Sequence, residues 1–258
     1  MPIQLSIEWP VWAASPPGRT VLSWEQTQFD ALVGNIFGYH AVQFGLPQLN
    51  ALRENRISCR TLALDTISGG REHVFLKDSF HSIIQYDFPE LPFATQSIDL
   101  LVLPHTLELT PEPHRLLREA ARTLLPEGQM VMTGFNPCSL WGVRHALGYK
   151  LRHPWMPTPH PLIALSRLKD WLKLLGLQPN QGRFGIYAPP FYTERWLNRC
   201  HFLEPAGNRW WPIFGAVYII TAIKRAHGAQ LIGPAQLNKA SPLPAPAPVS
   251  STSKTFKE

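Results

Sequence analysis

The chain has 258 residues, 45% of them hydrophobic and 16% charged, enough to bury a sizeable core and too short for more than one large or two small domains. Its formal charge of +6 is unevenly spread: residues 1–140 are net acidic, and residues 141–258 carry all the basic excess, a bias that favours an anionic partner. Three scattered cysteines, Cys59, Cys138 and Cys200, exclude a disulfide framework or a paired zinc site and favour a reducing compartment, the cytoplasm.

Residues 1–25 read as an irregular lead-in broken by Pro10, Pro16, Pro17 and Gly18, with Trp9, Trp12 and Trp24 suggesting that it packs on something. It lacks the basic-then-apolar pattern of a secretory signal. From 26 to 226 strand-like and helix-like runs alternate, the pattern of an α/β sheet with crossover helices. Tyr39 to Phe44 predicts the first strand, closed by Gly45, and Pro47, Leu49 and Leu52 suit a short helix after it. Arg60 to Leu64, ending at Asp65, and Ser82 to Tyr86, ending at Asp87, predict the next two strands, while Gly69 and Gly70 break any helix between them.

Ile98 to Leu103 is apolar apart from Asp99, as a central strand covered on both faces would be. Between Pro113 and Leu125, Leu116, Leu117, Ala120, Ala121 and Leu124 form one stripe of an amphipathic helix, stopped by Pro126 and Gly128. Gln129 to Gly134 gives a fifth strand, and Ser166 is placed to cap a helix ending before Gly176. Gly182 to Tyr187 and Ala216 to Ile223 complete seven strands. The stretch from Trp210 to Ile223 is short for a bilayer span and reads as a buried strand with an aromatic lead-in. Residues 227–258 lose periodicity in a proline-rich tail expected to be disordered.

One block is more specific. Gln85-Tyr86-Asp87-Phe88-Pro89-Glu90-Leu91-Pro92-Phe93 leads into Ser97-Ile98-Asp99-Leu100, followed by His105-Thr106-Leu107-Glu108 and by Leu116-Leu117-Arg118-Glu119 through Pro126-Glu127-Gly128. In this order the motifs resemble those of class I S-adenosylmethionine-dependent methyltransferases of the type 11-like group. The resemblance implies a Rossmann-like fold: a mostly parallel seven-stranded sheet, helices on both faces, and a cofactor across the carboxyl ends of the strands. Where that family has an acidic residue followed by G-x-G-x-G, this chain has Val42-Gln43-Phe44-Gly45-Leu46-Pro47-Gln48-Leu49, and only Gly45 matches.

By the same resemblance Gly45, Asp65, Asp87 and Phe88 bind S-adenosyl-L-methionine: Asp65 on the ribose hydroxyls, Asp87 and Phe88 at the adenine. His105, after the fourth strand, is the candidate catalytic base, because imidazole titrates near neutrality. Its competing reading is a packed or turn histidine. Glu108 reads as a capping group, and the second histidine that often follows in the family is Leu109 here. The expected acceptor is a small molecule. Nucleic acid is the weaker alternative, through Arg195, Arg199 and Arg209 interleaved with Trp196, Trp210 and Trp211. A catalytically inactive binding or scaffolding protein on the same fold is the alternative function.

Overall fold

A computed structural model describes residues 8–65, 80–86, 90–151, 153 and 155–225. Asp87, Phe88, the Gly69-Gly70 crossover and the 227–258 tail lie outside the described residues. The seven strands are β1 (His40–Phe44), β2 (Cys59–Asp65), β3 (Ser82–Tyr86), β4 (Ile98–Pro104), β5 (Leu124–Phe135), β6 (Leu177–Gly185) and β7 (Val217–Lys224). They form one sheet in the order β3-β2-β1-β4-β5-β7-β6. Neighbours from β3 to β5 pair in parallel, and β7 runs antiparallel to both β5 and β6. The order reverses between β1 and β4, which opens a crevice at their carboxyl ends.

The alternation of side chains along β4 explains its central place. Ile98, Leu101 and Leu103 face one apolar cluster, with helices α4 (Pro113–Thr123) and α6 (Leu165–Leu174) over it. Leu100 and Val102 face the opposite cluster, which holds Phe29 and Val33 of helix α2 (Pro16–Val33). Both faces are therefore dry, and each fully buried aliphatic side chain contributes about 1.5–3 kcal/mol. Asp99, the one charge in the run, sits at the strand's entry, where its Oδ2 accepts the backbone N–H of Tyr39 (2.8 Å) and His40 (3.0 Å). It aligns the starts of β4 and β1.

Several local expectations need correction. The lead-in is helical from Trp9: α1 (Trp9–Ala14) and α2 form a tight corner. Its prolines occupy first-turn positions of both helices, where the missing N–H costs nothing. Gly18 is required because a Cβ there would lie 2.1 Å from the Trp12 carbonyl oxygen. The short helix expected after Gly45 is instead a series of turns. The buried Gln43 side chain ties these turns together: Nε2 donates to the carbonyls of Leu46 (3.2 Å) and Leu49 (2.6 Å), and Oε1 accepts Ala51 N–H (2.9 Å). A side chain that bonds the backbone in this way competes with a helical ladder. Ala164, not Ser166, is the N-cap of α6. The strand at the end of the Trp210 to Ile223 stretch begins only at Val217 and is buried, and Trp210 and Trp211 ahead of it are exposed.

Helix α3 (Thr106–Leu109) follows β4, and α5 (Leu140–Lys150) follows β5 with Ser139 Oγ capping it by accepting Gly142 N–H at 3.0 Å. Helices α7 (Glu194–Arg199) and α8 (Leu203–Trp210) lie between β6 and β7. Among the described residues no helix is long and apolar enough to cross a membrane.

Candidate functional site

The carboxyl ends of β1 to β4 bring several of the expected residues to one edge. Gly45 leaves β1 with φ +65°, the left-handed region open to glycine. Among the described residues a Cβ there would meet only Thr106 Oγ1, at 3.8 Å. Asp65 ends the neighbouring strand, half-buried, in register with Tyr86 at the end of β3. Burial, with Asp65 close by, pushes the Tyr86 phenol up from its ordinary range. This edge suits the nucleoside half of the cofactor: a carboxylate for a ribose diol beside a turn with room above it. The loop beyond it does not offer the open, glycine-lined backbone expected for the amino-acid half. Leu49 is buried in the cluster beneath α2, and Leu46, at φ 35°, is buried among Trp9, Trp12, Trp141 and Trp155.

His105 lies at the end of β4, wholly buried, with its backbone in the left-handed region (φ 49°, ψ 7°). For a non-glycine residue that conformation costs on the order of 1–3 kcal/mol, and such strain clusters at functional sites. The surroundings fix it: His105 N–H donates to Thr133 O at 3.2 Å, and Thr106 Oγ1 donates to Phe44 O at 3.2 Å, tying α3 to β1.

Both imidazole nitrogens face carboxylates. Nδ1 is 2.9 Å from Glu108 Oε2, and Nε2 is 2.8 Å from Glu25 Oε1, an ion-pair distance whose alignment falls short of a hydrogen bond. Glu108 uses its other oxygen to accept Phe135 N–H at 2.6 Å, so the bridge runs from α2 through β4 to β5. Burial alone drives the imidazole pKa down, but Glu25 and Glu108 outweigh it and push His105 up to about 10. Burial raises the Glu108 carboxyl. The cluster therefore holds its protons tightly. As an imidazolium His105 has no lone pair to offer, so it accepts a proton only after passing one of its own to a neighbouring carboxylate.

Aromatic rings close the space around this bridge. Phe135 and Trp9 lie 4.2 and 5.0 Å from the imidazole, centroid to centroid. Trp12 packs edge-on to Phe135 and donates Nε1–H to Trp155 O at 3.0 Å. Trp141, on α5, packs against Trp155 and donates to Ala188 O at 2.7 Å.

Sequence reasoning did not single out Glu25. The signal was present in its spacing: Val21, Glu25, Phe29 and Val33 recur every four residues along α2, and all are buried. A carboxylate inside an apolar stripe must find a buried cation.

Comparison with known proteins agrees with this architecture. A family model described as a methyltransferase domain matches residues 47–132. The uncharacterized protein YafS of Escherichia coli (strain K12) is 29% identical over 215 residues, 83% of this chain and 80% of its own. A chain from the complex between the Haloferax volcanii Trm112 methyltransferase activator and a methyltransferase superposes with TM-score 0.58 at 18% identity, covering 85% of this chain and 97% of that one. For a SAM-dependent methyltransferase from Thermotoga maritima the values are 0.56 and 15%, over 80% and 90% of the two chains. The [4+2]-cyclase SpnF also superposes, with TM-score 0.53 at 18% identity over 78% and 80%.

Proposed function

Starting from a chain that resembles the class I S-adenosylmethionine-dependent methyltransferases in sequence and in fold, we propose that it binds S-adenosylmethionine and methylates a small-molecule acceptor. The observation that carries this reading is the pairing of Gly45, with space above its turn, and Asp65 at adjacent strand ends. Asp65 would hold the ribose hydroxyls, and Asp87 and Phe88 the adenine. The cofactor supplies a sulfonium methyl, which moves in line to a nucleophile held at contact distance. His105 is the proposed base: Glu25 takes the Nε2 proton and leaves as the neutral acid when the acceptor displaces it, and the freed Nε2 lone pair then takes the acceptor's proton. Trp9 and Trp12 keep water from that nitrogen.

Isothermal calorimetry with S-adenosylmethionine tests the cofactor, and methyl transfer from labelled cofactor into metabolite extract tests the reaction. Saturable binding together with transfer that is lost in Asp65→Ala supports the proposal. Absence of binding at about millimolar cofactor, in folded protein, sinks it, since affinities weaker than that are below about 4 kcal/mol. A second reading, a non-catalytic binding protein, is favoured by the Leu46 and Leu49 side chains in the loop and by the doubly paired His105. Cofactor binding without transfer to any acceptor would select it. A fold shared with a cyclase such as SpnF does not fix the reaction.

A further inference from the structure

Helix α5 carries apolar side chains on its exposed side as well as on its buried one. Its inner side buries Trp141 and His145, while Leu140, Val143, Leu147 and Leu151, just past its end, are each about 60% exposed. At 100° per residue these four form one stripe, with Arg144 flanking it on one side and Lys150 on the other. An aromatic ridge continues the surface. The Arg144 guanidinium lies over Tyr192 at 5.4 Å and donates to Pro190 O, and Phe191 packs against Trp196 at 5.8 Å. Later in the chain Phe202, Trp210, Ile213 and Phe214 stand 57–73% exposed.

The charged residues of these segments are mostly basic. Between 140 and 151 there is no carboxylate, and the two between 191 and 214 are engaged. Glu194 pairs with Arg19 at 3.6 Å, and Glu204 accepts the N–H groups of Ile186 and Tyr187. That leaves Arg144, Lys150, Arg195, Arg199 and Arg209 beside projecting aliphatic and indole groups.

We propose that this face docks peripherally on an anionic membrane surface. Leucine and valine would enter the acyl boundary, tryptophan and tyrosine would sit at headgroup depth, and the arginines and lysine would pair with lipid phosphates. The projecting, widely exposed side chains suit a fluid layer that closes around them. A single-stranded nucleic acid would use the arginines and rings but would leave the α5 stripe in water.

The test is co-sedimentation of the full chain with vesicles of phosphatidylcholine alone and of phosphatidylcholine with about one third phosphatidylglycerol. Binding to the anionic vesicles is expected, weaker by about tenfold on neutral ones and declining with salt. The double variant Val143→Asp, Leu147→Asp is expected to lose at least about tenfold in partitioning. Its exposed positions and an unchanged circular dichroism spectrum separate this loss from unfolding. Equal sedimentation of the variant, or no sedimentation of the wild type with anionic vesicles, overturns the proposal. So does a wild-type dimer in analytical ultracentrifugation that the double variant abolishes, which would make the face a self-interface. Preferential binding of single-stranded RNA that is unaffected by the α5 variant overturns it equally.

Discussion

Replacing Glu25 with glutamine tests the buried bridge. In the folded chain His105 stays protonated up to about pH 10, whereas an unfolded imidazole loses its proton near 6.5. The raised folded value stabilises fully below the unfolded one, and the benefit disappears as pH rises through the folded one. Across that window the native state holds one proton more than the unfolded state, so stability falls by about 1.4 kcal/mol per pH unit. From about pH 7 to about pH 9 the wild type should therefore lose roughly 2–3 kcal/mol. Glu108, also raised, pulls in the same direction as pH climbs out of the ordinary carboxylate range. Glu25→Gln removes one carboxylate's pull, burial then draws the imidazole down, and the loss over the same interval should shrink to below about 1 kcal/mol. Urea unfolding followed by circular dichroism at both pH values reads the difference. Parallel pH dependences in wild type and variant would refute the assignment of a proton shared among Glu25, His105 and Glu108.

Asp65→Asn should weaken S-adenosylmethionine binding by about tenfold in calorimetry, because a ribose diol donates more strongly to a carboxylate than to an amide. Gln43→Glu should destabilise by about 3–5 kcal/mol in denaturant titration, since a carboxylate would face the carbonyls of Leu46 and Leu49 with no proton to donate. Gly185→Ala should cost about 1–3 kcal/mol, because its Cβ would lie 2.1 Å from the Trp24 ring. A melting curve unchanged from wild type would show that the ring moves aside freely.

Strand sequence signals were strong wherever both faces are buried. The β4 run and the Leu116 to Leu124 stripe carried their positions directly, and the block from Gln85 to Gly128 identified the fold that the topology shows. Prolines misled at the N-terminus, where breakers that look like loop punctuation are first-turn residues of α1 and α2. Side-chain hydrogen bonding misled at the loop after β1: periodicity offers leucines and a proline for a helix, and one buried amide overrides it. At the site, His105 was legible through its neighbours in sequence. Its partner Glu25 is eighty residues away, and long-range pairing has no local signature beyond a charge in an apolar stripe.

The amide of Gln43 also sets what its loop tolerates. It donates to two carbonyls and accepts one N–H, a combination that an acidic side chain cannot reproduce. An acidic residue at 43 alone would deprive the Leu49 carbonyl of its side-chain donor, and glycine at 49 alone would remove a buried leucine from the core. Each single exchange gives a less stable protein. The loop is thus interlocked, and only a concerted exchange of residue 43 with its loop would open it.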